Sequence, residues 1–357
     1  MPLEHEEQLP EQQESIGGPI DGLRTFFGEG TGSVVVFDLE WNQNGYAPNP
    51  RMPHEIIEIG ACRLNADGLV EDTFSAIVRP CLYKRVDKHI RQVTGITEKE
   101  LADGRPFPEV IADFARFCGE APQLITWGRD DYPVLKRNLA FHMQPLLFAP
   151  PLDAQLVFGF THFGDAHRQM NLHAALEETN TVMGVPAHRA VYDAECTAAL
   201  LPVVSRETEP LTDIRRRELR LTLERETRIA DALLRSRPTR YTMHTDALLD
   251  DAVTVLPCPR CGKICRFDTP WFDDGRDRYQ AIGVCAQHGL VEAQMHLRRP
   301  NGGFLTVQQR AYMTTEPEAD GVRQAYRLFL QTPPQKRHHR LCMAEVRAGK
   351  QKEQSAK

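Results

Sequence analysis

The sequence predicts an α/β layer fold followed by a smaller, β-rich module. Three observations carry that expectation. Between Ser33 and about Val204, apolar runs of strand length alternate with runs at helical spacing. The first run, Val34-Val35-Val36-Phe37, is β-branched and aromatic throughout, which suits a strand covered on both faces. From about Leu256 the composition shifts to Cys-Pro-Arg-Cys-Gly, glycines, aromatics and short alternating runs.

The 357 residues suit two domains, with room for a third. The chain is 41% apolar and 26% charged, ordinary for a globular protein. It has no apolar run long enough to cross a bilayer and no N-terminal signal pattern. Its nine cysteines read as thiols or metal ligands, and the expected location is cytoplasmic. A net charge of −6 lacks the signature of a nucleic-acid coat protein. An enzyme acting on nucleic acid is still allowed, because local charge at a site outweighs the total.

In order along the chain, the polar, acidic start is expected to be a disordered lead-in, taken to residue 30. An α/β domain is expected over 31–205. Its first strand is Val34–Trp41, its second Glu55–Asn65, and its third Glu71–Pro80, ended by the proline. Val110, Ile111, Phe114 and Phe117 recur at helical spacing, with Gly119 as the stop. Gln123–Gly128 is a short buried strand, and a helix restarts near Pro133. Two more helices follow, at "MNLHAALEETN" and "DAECTAALLPVV". Residues 206–250 read as a charged helical linker, a dimer contact or a solvated helix. A small module is expected over 251–334 and a mobile basic tail over 335–357.

The chemistry is concentrated in a few acids. Asp38 and Glu40 end the first strand one residue apart, so they point to the same side. Carboxylates held that close repel unless a cation sits between them. Downstream, Asp130 and Asp131 follow a strand at a helix start, and His188 and Asp193 flank another. Each alone reads as a helix cap. Together, in this order, they point to a site.

The pattern resembles the DEDDh group of 3′–5′ exonucleases, in particular its ERI-like and KapD-like branch. Phe37-Asp38-Leu39-Glu40 resembles the first motif, and Trp127-Gly128-Arg129-Asp130-Asp131 with Leu135 the second. His188-Arg189-Ala190-Val191-Tyr192-Asp193 resembles the third. "HEIIEIGA" and "VTGIT" are similar to that branch as well. The second motif's spacing, three residues after the glycine and four before the leucine, selects Asp131 over Asp130. The resemblance covers about residues 33–204 and implies an RNase H-like fold with a mixed sheet flanked by helices.

It further implies two Mg²⁺ or Mn²⁺ ions, hard cations that prefer carboxylate oxygen. Asp38 bridges them, Glu40 and Asp193 complete one site, and Asp131 holds the other. His188, whose ordinary pKa is about 6.5, is the general base. Leu39, Trp41 and Asn42 are the expected contacts to a terminal nucleotide, although Trp41 could equally be packing. The substrate is single-stranded nucleic acid, RNA favoured over DNA. A DNA exonuclease of repair or proofreading type and a non-catalytic binding adaptor are the alternatives.

In the C-terminal module, Cys258-x2-Cys261 and Cys285-x2-His288 lie 23 residues apart, the spacing of a zinc ribbon with one structural Zn²⁺. Cys265 lies on the strand leaving the knuckle and is left out. Residues 255–312 hold eight Lys or Arg against five Asp or Glu. Phe267, Trp271, Phe272 and Tyr279 lie among them. Basic side chains with aromatics can grip single strands, whereas the plainer reading is a zinc staple for a small domain.

Overall fold

The computed structural model describes residues 20–27, 32–44, 49, 51–183, 189–274, 278–299, 303–333, 336 and 341–355. The first part contains α1 (Asp21–Arg24), β1 (Val34–Gln43), β2 (His54–Leu64), β3 (Val70–Arg79), α2 (Lys88–Thr94) and α3 (Glu98–Asp103). It continues with β4 (Arg105–Pro106), α4 (Phe107–Cys118), β5 (Gln123–Thr126), α5 (Asp131–Phe141), β6 (Leu152–Asp153), α6 (Ala154–Phe163), α7 (Leu172–Glu178) and α8 (Ala190–Thr208). Then come α9 (Asp213–Ala230), β7 (Leu233–Pro238), α10 (His244–Leu249) and α11 (Asp251–Thr254). The C-terminal part holds β8 (Arg266–Asp273), β9 (Arg278–Cys285), β10 (Gly289–Arg298), β11 (Thr306–Met313), α12 (Glu316–Gln331) and α13 (Met343–Ser355). Among the described residues no helix is long and apolar enough to cross a membrane.

The first sheet runs β4-β3-β2-β1-β5-β6, with β1 antiparallel to β2 and parallel to β5. This is a mixed sheet flanked by helices, the layout that the resemblance implies. The uniform apolarity of β1 follows from its central place. Val34 and Val36 enter one core with α6 and α8, while Val35, Phe37 and Leu39 enter a second with α4 and α5. Each such side chain, fully buried, contributes about 1.5–3 kcal/mol. The same alternation sets the site: Asp38 and Glu40 share the parity of Val34 and Val36 and therefore face α8.

Three segments differ from the expected layout. Residues 20–27, inside the expected lead-in, are packed: Ile20 and Leu23 are buried in the core that holds α8. Part of the expected linker is strand β7, which pairs with β11 and so belongs to the second sheet, β7-β11-β10-β9-β8. The expected tail contains α13, with Cys342 and Met343 buried against the module. The charged helix α9 lies inside the chain's own packing. It buries Leu219 and Leu223 against the first domain, and Arg225 and Arg228 pair with Glu292 and Glu318 of the module.

Candidate active site and a second metal-ligand cluster

The strand end and the helix start meet because of one residue without a side chain. Gly60 pairs with Asp38, and a Cβ at Gly60 would lie 2.0 Å from Ala190 C and Val191 N. The first turn of α8 therefore rests directly on β2, which brings Asp193 over β1. Ligand oxygens of Asp38, Glu40 and Asp193 all lie within 4.8 Å of one another. Asp131 joins from the opposite side of β1. It is the first residue of α5, is buried, and accepts the Leu39 N–H at 3.1 Å. Asp130, its neighbour, is exposed.

Crowding these acids makes ionisation costly. Burial, then the charges of Asp131, Glu40 and Asp193, push Asp38 well above the usual carboxylate range. Burial, then Asp193, pushes Glu40 up to about 8. Burial pushes Asp131 up to about 7, against the lowering effect of the Leu39 N–H. Such a cluster fits divalent cations, whose charge would remove the repulsion.

Two residues absent from the sequence reading hold the site in shape. Glu58 is fully buried directly across from Glu40. Its carboxylate accepts from Arg189 Nη2 at 2.7 Å and Nε at 3.0 Å, and from the Ala190 N–H at 3.1 Å. The pair clamps the start of α8 to β2. A glutamate within an apolar strand was the available signal, since a buried charge requires a partner. Asn138 plays a similar part for α5: its Oδ1 accepts the Ile56 N–H beside the β1–β2 bulge, and its Nδ2 donates to His54 O and Val134 O. The imidazole Nε2 of His173, on α7, lies 3.8 Å from Asp193 Oδ1.

The expected substrate contacts are placed differently. Asn42 is fully buried and spent on the 83–87 loop. Its Nδ2 donates to Tyr83 O and Arg85 O, and its Oδ1 accepts the Asp87 N–H. The Leu39 side chain is in the core, and its N–H belongs to Asp131. Neither side chain is presented to a ligand: Leu39 packs in the core, and Asn42, beyond the register shift after Glu40, is held by the 83–87 loop. Trp41 is half-buried, with its ring 6.0 Å from that of His54. His188 lies outside the described residues.

In the module, Cys258, Cys261, Cys285 and His288 converge. Cys258 Sγ lies 3.6 Å from His288 Nδ1, and Cys261 Sγ lies 3.7 Å from Cys285 Sγ. Gly262 and Gly289, at φ of +71° and +81°, turn the two knuckles. The backbone N–H groups of Gln287 and His288 help hold the Cys285 thiol down at about 6, in thiolate form at neutral pH. Cys265 is outside the cluster, and burial pushes its thiol up to about 12. Trp271, Phe272 and Tyr279 are buried, Phe267 packs against the core that holds Trp271 and Tyr279, and Phe272 packs with α12. These aromatics build the module and do not form a stacking surface, which corrects that expectation.

Residues 35–201 match the sequence model of the exonuclease family RNase_T. The chain is 29% identical over 184 residues to the probable 3′-5′ exonuclease KapD of Bacillus subtilis, covering 51% of this chain and 88% of KapD. It is 24% identical over 187 residues to a PolC-type DNA polymerase III of Streptococcus agalactiae, covering 51% of this chain but 12% of the polymerase. Among solved structures, the nuclease domain of 3′hExo, a DEDDh family member bound to rAMP, aligns with a TM-score of 0.44 at 20% identity. That alignment covers 50% of this chain and 94% of the domain. Residues 35–201, a little under half of the chain, thus match an exonuclease family model, and the chain is similar over that stretch to a probable 3′-5′ exonuclease.

Proposed function

We propose that this chain is a 3′–5′ exonuclease that hydrolyses single-stranded nucleic acid, RNA in preference to DNA, and releases nucleoside 5′-monophosphates. The observation that carries the reading is the convergence of Asp38, Glu40 and Asp193 on one point, with Asp131 fixed beside them, in a domain of exonuclease family. Asp38, Glu40 and Asp193 would hold one Mg²⁺ or Mn²⁺, and Asp38 with Asp131 a second. Bound ions of this kind supply positive charge at the attacking and leaving oxygens and lower the pKa of the attacking water.

The remaining work falls to the chain. The Leu39 N–H keeps Asp131 in one orientation. The Glu58–Arg189 pair keeps α8, and thus Asp193, against β1. His188 takes the proton of the attacking water on an imidazole nitrogen as the water oxygen bonds to phosphorus, and the 3′-oxygen of the next nucleotide leaves. Cys258, Cys261, Cys285 and His288 hold one structural zinc. A cytoplasmic setting is supported by the free thiols among the described residues.

Preference for RNA rests on the "HEIIEIGA" and "VTGIT" stretches. The similarity to PolC-type DNA polymerases favours DNA as the second reading. Digestion of matched RNA, DNA and duplex oligomers carrying a 3′ label, with Mg²⁺ or Mn²⁺, separates them. Asp38→Asn and Asp193→Asn should abolish release of monophosphates in folded protein, because an amide holds a divalent ion poorly. Asp131→Asn should cost far more than Asp130→Asn. Full activity in folded Asp38→Asn protein would overturn the assignment.

A further inference from the structure

We propose that the non-core face of the C-terminal sheet binds the trailing, 5′-ward part of a single strand whose 3′ end lies at the carboxylate cluster. The proposal rests on the exonuclease reading and adds the path that the substrate takes.

Strand alternation builds the face. Val291, Ala293, Met295 and Leu297 of β10 enter the module's core, so Glu292, Gln294, His296 and Arg298 point the other way. The register sets Gln294 opposite Arg310 of β11, and His296 opposite Arg278 of β9. One end of this face is covered. Ile282 and Leu290 pack with α12, and Glu292 is taken up by Tyr312 and Arg225. The other end is left polar and basic, with Arg298 and Arg310 exposed.

Few negative charges oppose these arginines. Asp274 lies 3.2 Å from Arg278 Nε. Among the described residues, no carboxylate lies within 4.0 Å of the guanidinium of Arg137, Arg298 or Arg310. Arg310 instead acts on Arg137, and Arg298 on His296. The pKa of Arg137, on α5, is lowered by burial and then by Arg310. That of His296 is lowered by burial and then by Arg298 and Arg278. Like charges gathered without counter-ions mark a surface whose favourable partner is a polyanion.

The run also reaches the site. Trp41 follows Glu40 directly and meets His54 at 6.0 Å. The pKa of His54 is lowered by burial and then by Arg137, while exposed Asp130 opposes this. The Lys136–Asp231 pair, at 2.7 Å, ties α5 to the foot of β7, whose Leu234 pairs with Arg310. Positive charge therefore runs from Arg137, beside His54 near the end of β1, to Arg310 on the sheet. With Trp271, Phe272 and Tyr279 buried, the face would grip phosphates mainly by charge, and so without strong sequence preference.

The experiment compares the full, metal-loaded chain with Arg298→Gln/Arg310→Gln. Two labelled single strands are used, one of about 4 nucleotides and one of about 20, which exceeds what a single small fold covers. The double variant should weaken binding of the long strand about tenfold and reduce the slope of log K against log salt by about 1.4, two phosphate contacts at about 0.7 each. Hydrolysis of the short strand should stay within about twofold. Arg79→Gln, on β3 of the other sheet, controls for lost charge and should leave the slope unchanged. If the double variant does not fold, Arg298→Gln alone should give about half the slope change. An unchanged long-strand affinity and slope overturns the path even if the wild type cleaves both strands. Should the wild type cleave neither strand, the exonuclease reading fails, and the equilibrium slope alone then decides whether the face binds nucleic acid.

Discussion

Asp38 and Glu40 are held where a second negative charge is costly, and that cost has a pH signature in metal-free protein. The folded values, about 8 for Glu40 and about 7 for Asp131, lie above the roughly 4 expected of unfolded carboxylates. A carboxylate with a raised folded pKa binds its proton more tightly in the folded state. Its favourable contribution is thus fully present below the unfolded pKa and disappears as pH rises through the folded one. With chelator present, the melting temperature should fall between about pH 5 and pH 8 relative to that of Glu40→Gln, whose curve should be flatter. Added Mg²⁺ should stabilise the wild type more at pH 8 than at pH 6. Parallel curves for the two proteins would mean that the acids are not crowded as described. At this scale the sequence was informative where spacing alone decides direction, as with Asp38 and Glu40 on a strand. It was silent on Glu58 and Arg189, because their partnership spans 131 positions and depends on α8 crossing β2. Asn42 misled for a related reason: a polar residue beside the acids suggested a ligand, yet its amide is spent on the 83–87 loop.

Among the elements, the contact between α8 and β2 controls the site most directly. Gly60→Ala would place a methyl group 2.0 Å from the backbone of Ala190 and Val191, where no flexible side-chain end can yield. The helix must lift, and Asp193 with it. Overpacking of this kind costs about 1–3 kcal/mol, so the variant should fold with a lowered melting temperature. Its hydrolysis should fall much further than its stability, because displacement of one ligand by an ångström is felt at the reacting atoms. Near-normal turnover would show that α8 does not need this close approach. Long periodic elements such as β1, β2, β3 and α4 were legible because each buries a regular face. Strand β7 was not, since Leu233–Pro238 is six residues of mixed character within a helical, charged stretch. Its strand form comes from pairing with β11, more than 65 positions away. Helix α1 has four residues and exists because Ile20 and Leu23 find α8.

Across the whole molecule, the proposed zinc and the proposed catalytic ions serve separate bodies, and this separation can be tested. The module has a core of its own, with Trp271, Tyr279, Met295, Leu297 and Leu305 fully or nearly fully buried. It therefore exceeds a knuckle that only a metal can fold. The four ligands join the turn at Cys258 and Cys261 to the β9–β10 turn, so zinc ties two loop ends together above an existing sheet. Zinc binding is worth on the order of 10 kcal/mol to a peptide that cannot fold without it, and a sheet with its own core should retain part of its stability when zinc is lost. Purified protein should carry about one zinc per chain, since four protein ligands close a single tetrahedral site. Cys258→Ser should lose that zinc and lower the melting transition of the module without abolishing it. The exonuclease domain holds its acids on β1, α5 and α8, none of which contributes a zinc ligand. Hydrolysis of a short strand by Cys258→Ser, with Mg²⁺ or Mn²⁺ resupplied, should therefore remain within about twofold of wild type. Loss of that activity in protein whose exonuclease domain still melts cooperatively would make the module part of the catalytic site, held to it through α9 and its pairs Arg225–Glu292 and Arg228–Glu318.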